Sequence, residues 1–283
     1  MIKSLRAAAV VLAVAAGSTA PALAITGNWQ VDNAHPFVGL VVFYDSAGNF
    51  SHRCTGSLIS PTKLLTAGHC TAGTASARVY FQQDAGANFD PATGVDPVSG
   101  YPETCAPGTL GTLCATASRV YDDDFVGLTI PNTRDVGVVM LDQAILMPEY
   151  GQLPLPGTLD ALDTARGTQG TEFTISGYGL TLRVQANSAL SNISFRSRLM
   201  AKSTLVNLGS ALNGGYNLQT QGNGSGRGGT CSGDSGGPIF LGGPGSNLIV
   251  AVTSFGLNSL CRGTDFNYRV DRQEVLDWIN TIN

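Results

Sequence analysis

The chain has 283 residues, 43% of them hydrophobic and 13% charged, with 36 glycines, six cysteines and three histidines. That apolar content excludes intrinsic disorder, the lack of a triplet glycine period or of heptads excludes collagen-like and coiled-coil chains, and the length suits one large domain or two small ones. A net charge of −4 without a polybasic patch argues against a nucleic-acid binder or a membrane-surface protein.

The first segment is set apart by its pattern. Lys3 and Arg6 form a basic start, an apolar run follows at 7–16, Gly17 and Pro21 interrupt it, and Ala22-Leu23-Ala24 ends in small residues. This predicts a secretory signal peptide over 1–24, since the apolar run falls short of the roughly 20 residues needed to span a bilayer. Removing those 24 residues, two of them basic, leaves 259 residues starting at Ile25, with a net charge of −6. Export to an extracellular or periplasmic space makes Cys54, Cys70, Cys105, Cys114, Cys231 and Cys261 readable as three disulfides. Their pairing is open among 15 arrangements, and the absence of a Cys-x-x-Cys pair argues against zinc.

The run Phe-Val-Gly-Leu-Val-Val-Phe at 37–43, bounded by Pro36 and by Asp45, Ser46 and Gly48, reads as a buried strand entering a hairpin. Similar short runs at 64–66, 77–81, 136–141, 172–176 and 249–254 are rich in β-branched or aromatic residues and separated by Gly, Pro, Asn or Ser. The stretch 82–117, with Pro91, Pro97, Pro102 and Pro107 and two cysteines, reads as a loop-rich excursion pinned by a disulfide. Asp122, Asp123 and Asp124 read as a solvated cluster, and His52 beside Arg53 as a solvated turn. Only the C-terminus is helical in pattern: Asp271 and Glu274 form an N-cap and N3 pair ahead of Val275, Trp278, Ile279 and Ile282. Many short strands with turn signals make an all-β barrel or sandwich protein.

The chemistry is concentrated in three places. In Gly229-Thr230-Cys231-Ser232-Gly233-Asp234-Ser235-Gly236-Gly237-Pro238, a serine stands between glycines that permit unusual backbone angles and close approach of a substrate. A serine nucleophile needs a base for its proton and donors for the oxyanion, which the N–H groups of Gly233 and Ser235 can supply. The Gly-x-Ser-x-Gly spacing also matches the nucleophile elbow of α/β-hydrolases. That fold places its histidine after the serine, whereas His35, His52 and His69 all precede Ser235. His69, at the end of a predicted strand in Thr66-Ala67-Gly68-His69-Cys70, is the best base; His35 and His52 read as structural or exposed. A neutral histidine base needs a buried carboxylate on its other nitrogen, and Asp135, at the edge of the apolar run Val136-Gly137-Val138-Val139-Met140-Leu141, is the candidate.

Taken in order, the blocks around His69, Asp135 and Ser235 resemble the three signature blocks of the chymotrypsin- and trypsin-like serine proteases. The likeness runs from Ile25 to the final helix. It implies two six-stranded antiparallel β-barrels, 25–156 and 157–283, the second closing with a C-terminal helix, and an active site in the cleft between them. It further implies bridges Cys54–Cys70 and Cys231–Cys261, which leaves Cys105 with Cys114, a local pair that departs from the family's common bridges. In the mechanism it implies, Ser235 attacks the scissile carbonyl, His69 takes its proton, Asp135 orients the imidazole, and an acyl-enzyme forms and is hydrolysed.

The same resemblance places substrate main chain along Thr253-Ser254-Phe255-Gly256 as an added strand. It puts Gly229, next to Thr230, at the pocket base where trypsins carry an aspartate. Asp265 falls either on the opposite pocket wall, where a carboxylate would favour Lys or Arg, or in an exposed loop. Ile25-Thr26-Gly27-Asn28 resembles the Ile-Val-Gly-Gly terminus whose free amine pairs with the aspartate before the catalytic serine, here Asp234; Thr26 and Asn28 depart from that pattern. The expected partner is a protein or peptide substrate, with a protein inhibitor as a candidate restraint, acting on a monomer that needs no metal or cofactor. Two readings compete: a protease-fold binding or adhesion protein without turnover, which usually lacks a triad residue, and an esterase using identical chemistry.

Overall fold

In the computed structural model, residues 25–85, 114–162, 170–186, 189–193, 196–222, 226–257, 259 and 261–283 are described. Residues 1–24 (expected to form the signal peptide), most of the proline-rich excursion and Cys105 lie outside these residues. In chain order, β1 (Thr26–Gly27) and β2 (Trp29–Val31) precede β3 (Val38–Tyr44), β4 (Phe50–Leu58), β5 (Lys63–Thr66), a helical turn α1 (Gly68–Thr71), β6 (Ser76–Tyr80), β7 (Cys114–Ala117), β8 (Arg119–Asp122) and β9 (Gly137–Met140). A 3-10 turn at Asp160–Leu162 leads into β10 (Glu172–Gly177), β11 (Leu182–Ala186), β12 (Ala189–Ile193), β13 (Leu199–Asn207), β14 (Asn217–Gln221), β15 (Gly228–Gly229), β16 (Pro238–Leu241), β17 (Ile249–Gly256), β18 (Thr264–Arg269) and α2 (Gln273–Thr281).

The strands form two barrels. In the first, the sheet order is β7-β6-β3-β4-β5-β9-β8. Its two ends, β7 and β8, are separated in the chain by Ser118 alone, so one bent strand pairs with β6 on one side and β9 on the other and nearly closes a six-stranded barrel. In the second, β10-β16-β17-β18-β14-β13 closes because β13 also pairs with β10. Every residue of β3 is buried, as expected for an apolar run with no polar alternation. The last four residues of the predicted excursion are strand β7, where Ala77↔Ala117 to Tyr80↔Cys114 pairing takes over from local loop signals.

Each terminus packs on the barrel it does not belong to in sequence. β2 pairs with β13, and β1 with β15, so residues 26–31 extend the second barrel although they precede the first. The C-terminal helix buries Val275, Leu276 and Ile279 in the core shared with the first barrel, and Lys63 Nζ donates to the Ile279 carbonyl at 3.2 Å. No helix among the described residues is long and apolar enough to cross a membrane.

Several local expectations give way to tertiary partners. The N-cap of α2 is Arg272, without a side-chain cap, and not Asp271. The carboxylate of Asp271 is fully buried, accepts from Leu159 N at 2.7 Å and pairs with Arg269 at 2.8 Å, tying the inter-barrel connection to the last strand. Glu274 pairs with Arg272 instead of closing a capping box. His52 lies within β4, not in a turn: its ring stacks on Phe43 and its Nε2 meets the Cys70 carbonyl at 2.9 Å. Asp123 is buried beneath Arg134, which bonds both its carbonyl and its carboxylate. His35, also fully buried, sits on Asp32 and stacks on Phe240, as a structural histidine.

Disulfides join Cys54 to Cys70, linking β4 to α1, and Cys231 to Cys261. Cys114 is also disulfide-bonded.

Removing one partner of a buried ion pair leaves the other uncompensated, which costs about 3–5 kcal/mol. Arg269→Met strands Asp271 in this way, so its urea unfolding midpoint is expected to fall by that equivalent, whereas Lys202→Met, which breaks only the exposed pair with Glu172, leaves it nearly unchanged.

Candidate active site

The site is assembled by strand register. β5 and β9 are antiparallel with Thr66↔Gly137 as their last pair, so two residues further Asp135 comes across from Gly68, beside His69. The Cys54–Cys70 bridge anchors the helical turn that carries His69. Asp135 Oδ1 accepts from His69 N at 2.7 Å, and its two oxygens lie 3.0 and 2.9 Å from His69 Nδ1. A carboxylate there keeps the proton on Nδ1 and leaves the Nε2 lone pair to act as base. Asp135 is fully buried, while the His69 side chain is 26% exposed. Its Oδ2 receives a further hydrogen bond from the hydroxyl of Ser254, 119 residues later on β17. Ser254 was expected only along the substrate strand; no local signal links it to Asp135, and the contact exists only because the barrels meet.

The serine-bearing loop is wedged between the barrels. Gly233 and Gly236 adopt φ of +100° and +76°. A Cβ on Gly236 would lie within 2.6 Å of Ala67 N and Thr55 O, and closer still to Thr66 Oγ1, so only glycine lets the loop press against the strand end that carries His69. Ser235 is half-buried and its carbonyl accepts from Thr55 N at 2.8 Å. Among the described residues, neither Gly233 N–H nor Ser235 N–H meets an internal acceptor, and no hydrogen bond joins the Ser235 hydroxyl to His69. The first fact leaves two donors without an internal acceptor; the second is common before substrate binds.

Asp234, next to Ser235, is fully buried and accepts from Gly179 N at 2.7 Å and Cys231 N at 2.9 Å. Burial pushes its carboxyl up to about 7 against the pull of those two donors, and the charge of Asp265 adds to the rise. Ile25 is buried in the core of the second barrel, and Thr26 pairs with Gly229, which brings the start of the expected mature chain to this region.

A cavity of about 320 Å³ opens beside Ser235 and is lined by Thr230, Ser254, Phe255, Gly256 and Asp265, among others. Asp265 lies on β18 opposite Gly256, only 7% exposed, and not in an exposed loop. Its Oδ2 accepts from Thr230 N at 2.9 Å, and a Cβ on Gly229 would come within 3.0 Å of that oxygen. Burial raises its carboxyl to about 6. β16 pairs with β17 only as far as Val252, so residues 254–256 have no sheet neighbour on that side among the described residues. Residues 230, 254, 255, 256 and 265 are therefore gathered around one space with Ser235, Gly229 packs behind the Asp265 carboxylate, and the Ser254 hydroxyl ties that space to Asp135 and, through it, to His69.

Two β-barrels with such a cleft define the chymotrypsin-like fold of serine endopeptidases. Comparison with known proteins agrees: the trypsin family model matches residues 24–279, and the chain belongs to that family. It is 31% identical over 238 residues to brachyurin of Leptuca pugilator, covering 81% of this chain and 86% of that one. It is 27% identical over 269 residues to a chymotrypsin of Phaedon cochleariae, covering 91% and 81%. The solved structure of HL collagenase superposes with a TM-score of 0.61 at 18% identity, over 91% of this chain and 97% of that one, and human heparin binding protein with 0.57 at 22%, over 89% and 93%. The protein is a serine endopeptidase of the trypsin family.

Gly236→Ala would need both a strained positive φ and displaced backbone, so a loss of about 2–4 kcal/mol is expected from the two effects together. Denaturant unfolding of the variant beside Gly245→Ala, where nothing lies within 4 Å, checks this.

Proposed function

We propose that this endopeptidase cleaves peptide bonds with Ser235 as nucleophile, His69 as general base and Asp135 as the group that orients His69. The observation that carries this is the buried Asp135 carboxylate on His69 Nδ1, set beside a serine loop whose Gly233 and Ser235 N–H groups are open. When substrate enters, His69 Nε2 takes the Ser235 proton as the oxygen attacks the carbonyl carbon. The tetrahedral oxyanion is received by Gly233 N–H and Ser235 N–H. His69 then returns the proton to the leaving amine, which departs and leaves an acyl-enzyme. Water, deprotonated by the same histidine, releases the acid and restores Ser235. The unpaired edge at 254–256 receives the substrate main chain as an added strand.

Secretion follows from the signal-peptide pattern at 1–24, with a mature start at Ile25. Its free amine is the cation that Asp234 otherwise lacks in its contacts with Gly179 and Cys231. The residue before the scissile bond enters the cavity that ends at Gly229 and Asp265. A basic side chain there pairs with Asp265, and neutral side chains fit while that carboxyl is protonated.

Covalent labelling by a fluorophosphonate tests the nucleophile without assuming a specificity. Labelling of the mature protein and its loss in Ser235→Ala are expected, with turnover falling by about 10⁴-fold or more; a folded, unlabelled mature protein would overturn the mechanism.

Asp265 governs a pH-dependent preference. Its carboxyl is neutral below about 6 and charged above, so the ratio of kcat/KM for an Arg substrate to that for a Leu substrate should rise as pH passes upward through about 6. The ratio cancels steps common to both substrates. Asp265→Ala should flatten it.

Asp234 gives a stability signature. With its carboxyl raised from 3.8 to about 7, the fold holds a proton that the unfolded chain has lost between those values, so stability falls as pH rises through that window. Unfolding midpoints should fall across the window for a protein bearing an extra residue before Ile25, and fall less for one that begins at Ile25.

A further inference from the structure

We propose that Thr55 is a positioning residue for the oxyanion-binding loop, gripping from the opposite barrel the carbonyls of both residues that donate to the oxyanion; this rests on the reading of Gly233 and Ser235 given above. Thr55 lies on β4, fully buried, in the first barrel. Its backbone N–H donates to the Ser235 carbonyl at 2.8 Å, and its hydroxyl donates to the Gly233 carbonyl at 2.8 Å. The direction of that hydroxyl is set, because Tyr178 N donates to the same oxygen at 3.1 Å and leaves the Thr55 proton to point at Gly233.

Gly233 needs such a restraint. With φ of +100° and no side chain, it can turn freely about its two soft dihedrals. The peptide plane before it, which carries its N–H, is held on one side only, where Leu180 N meets the Ser232 carbonyl at 2.9 Å; the plane after it is held by Asp234 N on the Cys231 carbonyl at 2.9 Å and by the Thr55 hydroxyl on the Gly233 carbonyl. The Thr55 hydroxyl thus clamps the second plane at its carbonyl end, so that Gly233 cannot turn about its own dihedrals and carry the first plane, and the Gly233 N–H with it, out of line. The main-chain bond to Ser235 is open to any residue at position 55, but the bond to Gly233 requires a hydroxyl. Thr55 also follows Cys54, whose bridge to Cys70 anchors the turn bearing His69, so one stretch of β4 sets both the base and the oxyanion donors.

Thr55→Val keeps the shape and removes the hydroxyl, and Thr55→Ser restores it. On a peptide amide, with rates expressed per fluorophosphonate-titrated site, Thr55→Val is expected to lower kcat about tenfold or more, with KM within about twofold. The inhibition constant of a peptidyl trifluoromethyl ketone, whose adduct with Ser235 carries an oxyanion, should weaken in step with kcat. Thr55→Ser should recover most of both. If Thr55→Val does not fold, Thr55→Ala against Thr55→Ser gives the same contrast. Unchanged kcat per titrated site, or equal losses in kcat and the tightness of KM without weaker ketone binding, would overturn the positioning role while the mechanism stands. A wild-type protein that is neither labelled nor active would overturn both together.

Discussion

The carboxylate of Asp135 is buried from water and is satisfied only when the two barrels are seated on each other. The first barrel supplies the His69 N–H and Nδ1, and the second supplies the Ser254 hydroxyl. A buried charge missing one of these donors is costly, so the association of the barrels and the alignment of the imidazole are one constraint. The cleft is therefore a place where folding itself sets the orientation of His69 on Asp135. The exchange of termini adds to this, since residues 26–31 hold the second barrel and the C-terminal helix holds the first.

Close approach of backbones is the second condition. The serine loop can touch the first barrel only because Gly236 has no side chain, and the loop can turn under the cavity only because Gly233 and Gly236 accept positive φ. Gly179 plays the matching part behind Asp234, where a Cβ would lie 2.6 Å from a carboxylate oxygen. The glycine-rich composition thus serves tight packing around charged groups as much as turns between strands.

Asp234, beside Ser235, and Asp265, on the pocket wall, are two raised carboxyls bonded to backbone N–H (Asp234 to two, Asp265 to one), and among the described residues neither is bonded to an arginine or lysine. In the proposed cycle each gains its cation from a different source: Asp234 from the chain's own amine at Ile25, and Asp265 from a basic substrate side chain. Burial raises both, and the charge of Asp265 adds to the rise at Asp234. In that proposed cycle the site is incomplete in charge until the chain begins at Ile25 and substrate is bound.

What the sequence by itself determined was local: the strands at 37–43, 64–66, 136–141 and 249–254, the short final helix, and the glycine-flanked serine, His69 and Asp135 in an order that excludes an α/β-hydrolase. These are readable because period, turn residues and motif spacing act over a few neighbouring positions. Only the tertiary structure decided that Asp271 binds Arg269 and Leu159 instead of capping its helix, that His52 stacks on Phe43 and meets the Cys70 carbonyl, that Asp123 is buried, that Asp265 faces the pocket, and that Ser254 and Thr55 reach across the cleft. In each case a polar side chain left water, and the partner that repaid its desolvation came from tens to more than a hundred residues away or from a neighbouring turn whose position the fold had set. Local propensity is worth a fraction of a kcal/mol to about two, whereas leaving a buried polar group unpaired costs more, so the distant partner prevails over the local pattern.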